Sequence, residues 1–367
     1  MRWWVTLAGT ALVLAAAAAT QSWLDRHFLP SFLISRQAYV GIEMSVRVAF
    51  AICGFFLIFA ARRVASLLTV RALAIAAAAL LALGAGELVL RTVRLRPAEW
   101  QAADEEPRRQ PDSRVGWTFV PARTGYSLSG GRTIEYAFDA SGYRVRRGGQ
   151  AVDRERTSIV FAGESVMFGD GLAYDETVPA QVEAILGVQS VNMAVYGYST
   201  DQMYLRLESE LPRIRRPEAV VMLFMTALFG RNLDDDRPHL LRGGLVWRPA
   251  VQHGRLITLA RLVVPFRRDA TVENGIAATR EVLSAAVNLS RSRGATPLIV
   301  VPQIGAEAEP ERTLRRRILD DASLPYVMVQ LDPAWHVPWD RHPDAWAARV
   351  LAETSAERLR PPAATAR

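Results

Sequence analysis

Three long apolar stretches crowd the first ninety residues, and they constrain this chain more than anything that follows. Trp3 to Leu24 runs without a charge until Asp25, Ala38 to Ala61 is interrupted by Glu43 and Arg47, and Ala72 to Leu90 is interrupted only by Glu87. Each is close to the ~20 residues that cross a hydrocarbon core. Trp3, Trp4 and Trp23 stand near the ends of the first stretch, where interfacial aromatics belong, and the pairs Arg62 with Arg63 and Arg91 with Arg94 flank the others. The pattern predicts a membrane domain of three transmembrane helices over residues 1–96. Glu43 and Arg47 are four apart and share a helix face. They read either as a neutralised pair with Arg47 reaching for the interface, or as a functional intramembrane pair. The first stretch also has the outline of a secretory signal, with Arg2 ahead of it and Ala15 to Ala19 as a cleavage site. The further stretches behind it favour an uncleaved helix. In both cases the chain from residue 97 onward is expected outside the cytoplasm.

The net charge of +7 invites a nucleic-acid reading, but its location argues against one. Residues 1–96 hold ten Arg against three acidic residues, so they carry the whole excess, and the remaining 34 basic and 34 acidic residues cancel. A neutral C-terminal part is a poor polyanion binder, and no nucleic-acid partner is expected. The flanking arginines divide almost evenly between the two sides, so orientation rests on the first helix rather than on charge. The single cysteine excludes a disulfide framework.

Residues 97–115 are polar and read as a linker, and 116–150 carry short alternating runs broken by Gly, a small β-rich lead-in. From 157 the pattern becomes strand alternating with helix. Strands are expected at 158–162, 190–195, 218–225, 296–301 and 326–331, and helices at 176–186, 201–211, 276–293 and 343–359. That alternation implies a parallel sheet covered on both faces, with ligands at the carboxyl ends of its strands. Residues 151–360 form this domain, and 361–367 a disordered tail.

The residues at those strand ends carry the chemistry. Gly163-Glu164-Ser165-Val166-Met167-Phe168-Gly169 follows the first strand. A Ser between a buried strand and a helix is placed as a nucleophile, with its amide at a helix N-terminus, or else is a helix cap. An α/β-hydrolase elbow would need Gly at 167, and Met167 excludes it. Gly197, after the second strand, lets a backbone N–H approach a substrate oxygen. Arg231, Asn232 and the acidic run Asp234 to Asp236 follow the third, and Trp339-Asp340-Arg341-His342-Pro343-Asp344 precedes the final helix. The acidic run reads as solvated surface. No His/Cys cluster has zinc spacing, and a chain without Lys has no P-loop lysine, so neither metal nor cofactor is expected.

Strand, GES-x-x-x-G, the E-T-x-P-A-Q helix, the G-Y-S-T-D-Q turn and the D-D-D-R-P segment fall in one order over 158–238. In this the chain resembles the SGNH/GDSL hydrolase superfamily, from about Asp112 to about Leu359. The upstream Gly116-Trp117 and Ser141-Gly142-Tyr143-Arg144 look like the lead-in of membrane-attached bacterial members. The resemblance implies a three-layer α/β/α, flavodoxin-like parallel sheet, preceded here by the transmembrane helices and the β appendage. It implies Ser165 as nucleophile, His342 as general base and Asp340 as the carboxylate orienting His342. It also implies an oxyanion hole from the Ser165 and Gly197 N–H groups and the Asn232 amide. His336 is the nearest rival imidazole.

Three positions depart from the family pattern. Glu164 replaces an Asp before the nucleophile. Arg231-Asn232 stands where Asn-Asp is usual, so either Asn232 fills the oxyanion position after a one-residue shift or Arg231 replaces it. Asp340 precedes His342 by two residues instead of three, position 339 being Trp. The expected function is a multi-pass inner-membrane serine esterase with a periplasmic catalytic domain, acting on acyl esters and foremost O-acetyl esters. Two alternatives remain open: an O-acyltransferase modifying an envelope polysaccharide, and a non-catalytic carbohydrate-binding relic.

Overall fold

The computed structural model describes residues 2–28, 36–96, 99, 105–233, 237–241, 244–246, 254–339 and 341–360. In chain order its helices are α1 (Arg2–Ala18), α2 (Gln21–Phe28), α3 (Arg36–Phe59), α4 (Ala61–Leu90), α5 (Ser165–Phe168), α6 (Val178–Leu186), α7 (Thr200–Glu210), α8 (Arg255–Val263), α9 (Asp269–Ser292), α10 (Glu309–Arg315) and α11 (Ala345–Leu359). Its strands are β1 (Arg109–Asp112), β2 (Gly116–Phe119), β3 (Thr124–Ser129), β4 (Arg132–Phe138), β5 (Arg144–Val145), β6 (Thr157–Ala162), β7 (Gln189–Asn192), β8 (Arg216–Leu223), β9 (His239–Leu241), β10 (Gly244–Val246), β11 (Thr296–Ile304) and β12 (Tyr326–Leu331). Asp340, Asp234 to Asp236, part of the 97–115 linker and the 361–367 tail lie outside the described residues.

The chain divides into two compact units, one of apolar helices and one built on the sheet. Besides the N-terminal helices, the first unit contains residues 252–269, which the sequence places within the catalytic domain. In this unit α1 runs antiparallel to α3. Gly9 meets Gly54, the Arg47 guanidinium donates to the Ala16 carbonyl (3.2 Å), and Arg36 grips Asp25 through two bonds of 2.6 Å. A Cβ on Gly9 would sit 2.6 Å from the Gly54 carbonyl oxygen, so only glycines allow this approach. Glu43 and Arg47 do not pair: Glu43 accepts from Gln21 instead.

Of the three expected spans, α3 alone is both long and apolar enough to cross a membrane. α1 and α2 reach that length together, but the chain bends by 91° between them. α4 extends over 30 residues, and Ala74–Leu90 is its described apolar stretch.

The second unit holds an eight-stranded sheet of order β12-β11-β8-β6-β7-β5-β4-β3. β12, β11, β8, β6 and β7 are parallel, and the remaining three are antiparallel. The sheet is therefore mixed and not wholly parallel, and the expected appendage is not separate. β3, β4 and β5 extend the sheet past β7, with Arg144 paired to Asn192. An exposed β7 edge would leave its backbone groups open to water, and β5 covers it. The order steps from β6 to β7 in one direction and returns to β8 in the other. Right-handed crossovers then place α6 on one face and α7 and α9 on the opposite one. The reversal at β6 opens a crevice at its carboxyl end, where the chain enters α5.

The core beneath is aromatic. Phe119 stacks between Phe138 (centroids 4.5 Å apart) and Phe168 (4.7 Å), and Tyr136 stacks on Phe168 at 5.6 Å. Phe119, Tyr136 and Phe138 come from the lead-in strands, whereas Phe168 ends α5. The lead-in thus packs directly against the turn that follows Ser165.

Candidate active site

β6 ends at Ala162, and the chain must turn sharply into α5. A Cβ at Gly163 would stand 2.8 Å from the Met167 Cβ and 3.0 Å from the Leu223 Cβ, so the turn needs glycine. Glu164 is the N-cap of α5 and accepts from the Val166 N–H (3.2 Å). Gly169, with φ of 80°, closes the turn in the left-handed region. This fixes Ser165 at the start of a one-turn helix, 3% exposed.

His342 arrives from the other end of the chain. Its Nε2 lies 2.9 Å from the Ser165 Oγ, across 177 residues of sequence. The loop carrying it is pinned where the Val337 N–H donates to the His342 carbonyl (2.8 Å) and His336 bridges Pro343. Asp344 then caps α11 through the Trp346 and Ala347 amides. The rival His336 turns its Nδ1 to the Val337 carbonyl, and His239 faces Asp201. Asp340 lies in this loop, outside the described residues. Among the described residues no cluster of His, Cys, Asp and Glu could hold a metal ion.

The Ser165 hydroxyl has one proton and two acceptors in reach, the His342 ring and the Glu164 carboxylate, to which it donates. The Arg231 guanidinium lies 3.4 Å from the same Glu164 oxygen and 3.4 Å from the Tyr198 carbonyl. Asn232 lines the same pocket as Gly163 and Glu164. Its amide donates to the Thr200 and Thr279 hydroxyls (3.0 and 2.9 Å), and its oxygen accepts from the Thr200 N–H (2.9 Å). Its side chain thus ties α7 to α9, while Arg231 stands beside Glu164, the carboxylate next to Ser165. No described residue accepts from the Ser165 or Gly197 N–H.

The G-Y-S-T-D-Q turn is held from outside. Gly197 has φ of 79°, and its carbonyl accepts from Arg237, which also reaches the Gln202 oxygen (3.0 Å) and lies over the Trp117 ring. The Tyr198 hydroxyl donates to the Trp117 carbonyl (2.6 Å), and burial pushes that phenol up to about 12, so it stays a donor at neutral pH. The Gly116-Trp117 element therefore acts as a brace for the Gly197 peptide.

Two features of the site escaped the sequence. Arg144, 2% exposed, donates to the Phe168, Gly169 and Leu172 carbonyls (2.9, 2.7 and 2.6 Å) and lies over the Tyr136 and Phe168 rings. Burial lowers the pKa of its guanidinium. It braces the backbone directly behind Ser165. The resemblance put Arg144 in the lead-in without a role, since nothing local shows that β5 lies beside this turn. The second is Trp339, whose ring packs so closely on Gly130 and Gly171 that a Cβ at Gly130 would lie 2.1 Å from it. The β3–β4 hairpin tip thus supports the loop that carries His342.

No family model and no curated protein matches the chain. Among solved structures, an acetyl xylan esterase from the rumen bacterium Butyrivibrio proteoclasticus aligns at 12% identity over 58% of this chain and 67% of its own, with a TM-score of 0.35. A member of the lipolytic G-D-S-L family from Veillonella parvula DSM 2008 aligns at 12% identity over 55% and 97%, with a TM-score of 0.32. A carbohydrate acetylesterase from Sinorhizobium meliloti aligns at 10% identity over 56% and 98%, with a TM-score of 0.33.

Proposed function

We propose that this chain is a membrane-anchored serine esterase of the SGNH type, acting on acyl esters outside the cytoplasm. One observation carries the reading: the 2.9 Å approach of the His342 Nε2 to the Ser165 Oγ at the carboxyl end of β6, in the parallel part of the sheet. In the proposed reaction Ser165 attacks the ester carbonyl while His342 takes its proton and later delivers it to the leaving alcohol. The Ser165 and Gly197 N–H groups receive the oxyanion, and Arg231 replaces Asn232 as the nearby side-chain donor. Water, activated by His342, then releases the acid. Asp340 is assigned to orient His342, as the resemblance implies. Transfer of the acyl group to a sugar hydroxyl would use the same intermediate.

The membrane half of the reading rests on where the apolar side chains point. Trp3, Phe56, Phe59 and Leu81 all face outward from their helices. Residues 252–269 touch both the end of α4 and the α2 segment that follows α1. That shared contact supports a reading in which α1 and α4 end on the same side of the membrane.

A fluorophosphonate probe applied to the full chain in lipid nanodiscs tests the chemistry. Wild type should be labelled, and Ser165→Ala and His342→Ala should lose labelling by on the order of 10⁴-fold or more. A folded wild type that takes no label would sink both the esterase and the transferase. With p-nitrophenyl acetate, free acetate marks hydrolysis, and acetyl appearing on an added oligosaccharide marks transfer.

A further inference from the structure

Residues 252–269 leave the sheet unit and fold with the apolar helices. Two anchors hold them there. At the first, α4 and α8 cap each other: the Glu87 carboxylate accepts from the Arg255 and Leu256 N–H groups (2.9 and 3.0 Å), and the Arg255 guanidinium donates to the Leu90 (3.2 Å) and Val93 carbonyls. Orphan donors of one helix and orphan acceptors of the other are satisfied by charged partners. At the second, Phe266 stacks on His27 (5.1 Å) and packs against Trp23 and Phe28. The Arg267 N–H donates to the His27 carbonyl at 2.8 Å, and Arg26 pairs with Asp269.

Between these anchors the outward face is apolar. Thr258 is buried, whereas Leu262 is 53% and Val263 70% exposed, with Ile257 and Val264 alongside. Arg261 and Arg268 are exposed beside them. Exposed aliphatics, flanking arginines and a Trp/His/Phe cluster form the composition of an element lying in a membrane interface. If α1 crosses, the 91° turn into α2 lays that helix, which carries the second anchor, along the membrane plane.

We propose that α8 and the turn to Phe266 form an in-plane membrane element, binding the headgroup layer of a phospholipid bilayer through Ile257, Val263 and Val264. This rests on the membrane reading of α1, α3 and α4.

The test uses the full chain in nanodiscs of phosphatidylglycerol and phosphatidylcholine. In a Cys53→Ser background, Val263→Cys and Ile52→Cys are each labelled with an NBD fluorophore. Quenching is compared among lipids spin-labelled near the headgroup, lipids spin-labelled deep in the acyl chain, and aqueous iodide. The expected result is shallow-lipid quenching at 263 and deep-lipid quenching at 52. Iodide quenching alone at 263, with 52 still in the acyl layer, would overturn the in-plane element and leave the membrane reading standing. Protection of 263 from all three quenchers would overturn it in favour of a protein partner. Iodide quenching alone at 52 would remove the membrane reading and the in-plane element with it.

Discussion

The two units solve opposite packing problems. In the helical unit the apolar side chains point outward and the close contact is made by Gly9 and Gly54, two residues with nothing to bury. In the sheet unit Phe119, Phe138, Phe161 and Phe168 are interior, and even a guanidinium, Arg144, is enclosed. The difference is the one expected if, as proposed, the helical unit sits in lipid and the sheet unit in water. Helices in lipid gain nothing from hiding aliphatic groups, so they associate through close backbone approach. A sheet in water gains about 25 cal/mol for each Å² of apolar surface removed, and this can offset the burial of a polar group whose bonds are all met.

The comparison can be broken at three places. The largest effect is expected in the sheet unit at Arg144→Met. It leaves three buried carbonyls behind Ser165 unmet, and a loss of about 3 kcal/mol is expected by denaturant titration. Fluorophosphonate labelling should slow by more than tenfold and recover partly with Arg144→Lys. Unchanged labelling would mean that the brace does not position the nucleophile. A smaller effect is expected in the helical unit at Gly54→Leu, where overpacking against Gly9 should cost about 1–3 kcal/mol. Thermal unfolding of the helices in detergent should shift down while the labelling rate stays at the wild-type value. A parallel fall in labelling would show that the two units are not energetically separate. The smallest effect on activity is expected at Asn232→Ala. A side chain spent on Thr200 and Thr279 should reduce turnover by less than tenfold, whereas an oxyanion donor would cost about 10²–10³-fold.

Much of this was open to a reader of the chain. Alternation of apolar runs placed β6, β8, β11, β12 and α11 to within a few residues, because buried strands and amphipathic helices leave periodic marks. Ser165 and His342 could be chosen because the surrounding motifs keep family order. Asn232 and Arg231 could not be separated, because which neighbour faces the nucleophile depends on the roll of the 3₁₀ turn Thr226–Leu233 against α7 and α9. That the lead-in strands join the main sheet is not legible for a related reason: β5 is two residues long, and only its partner β7 makes it a strand. α8 was missed because its apolar residues are surface residues of a unit that lies far away in sequence.

Local order of residues was enough to determine which parts of this chain are apolar helix, which are strand, and where glycine must stand for a turn to close. Each of those follows from forces acting within about ten residues. The meeting of Ser165 with His342, the seat of Arg144 behind Ser165 and the return of 254–269 to the helices join residues 24 to 243 positions apart. Contacts of that span are selected by packing of the whole chain, so only the tertiary structure decided them.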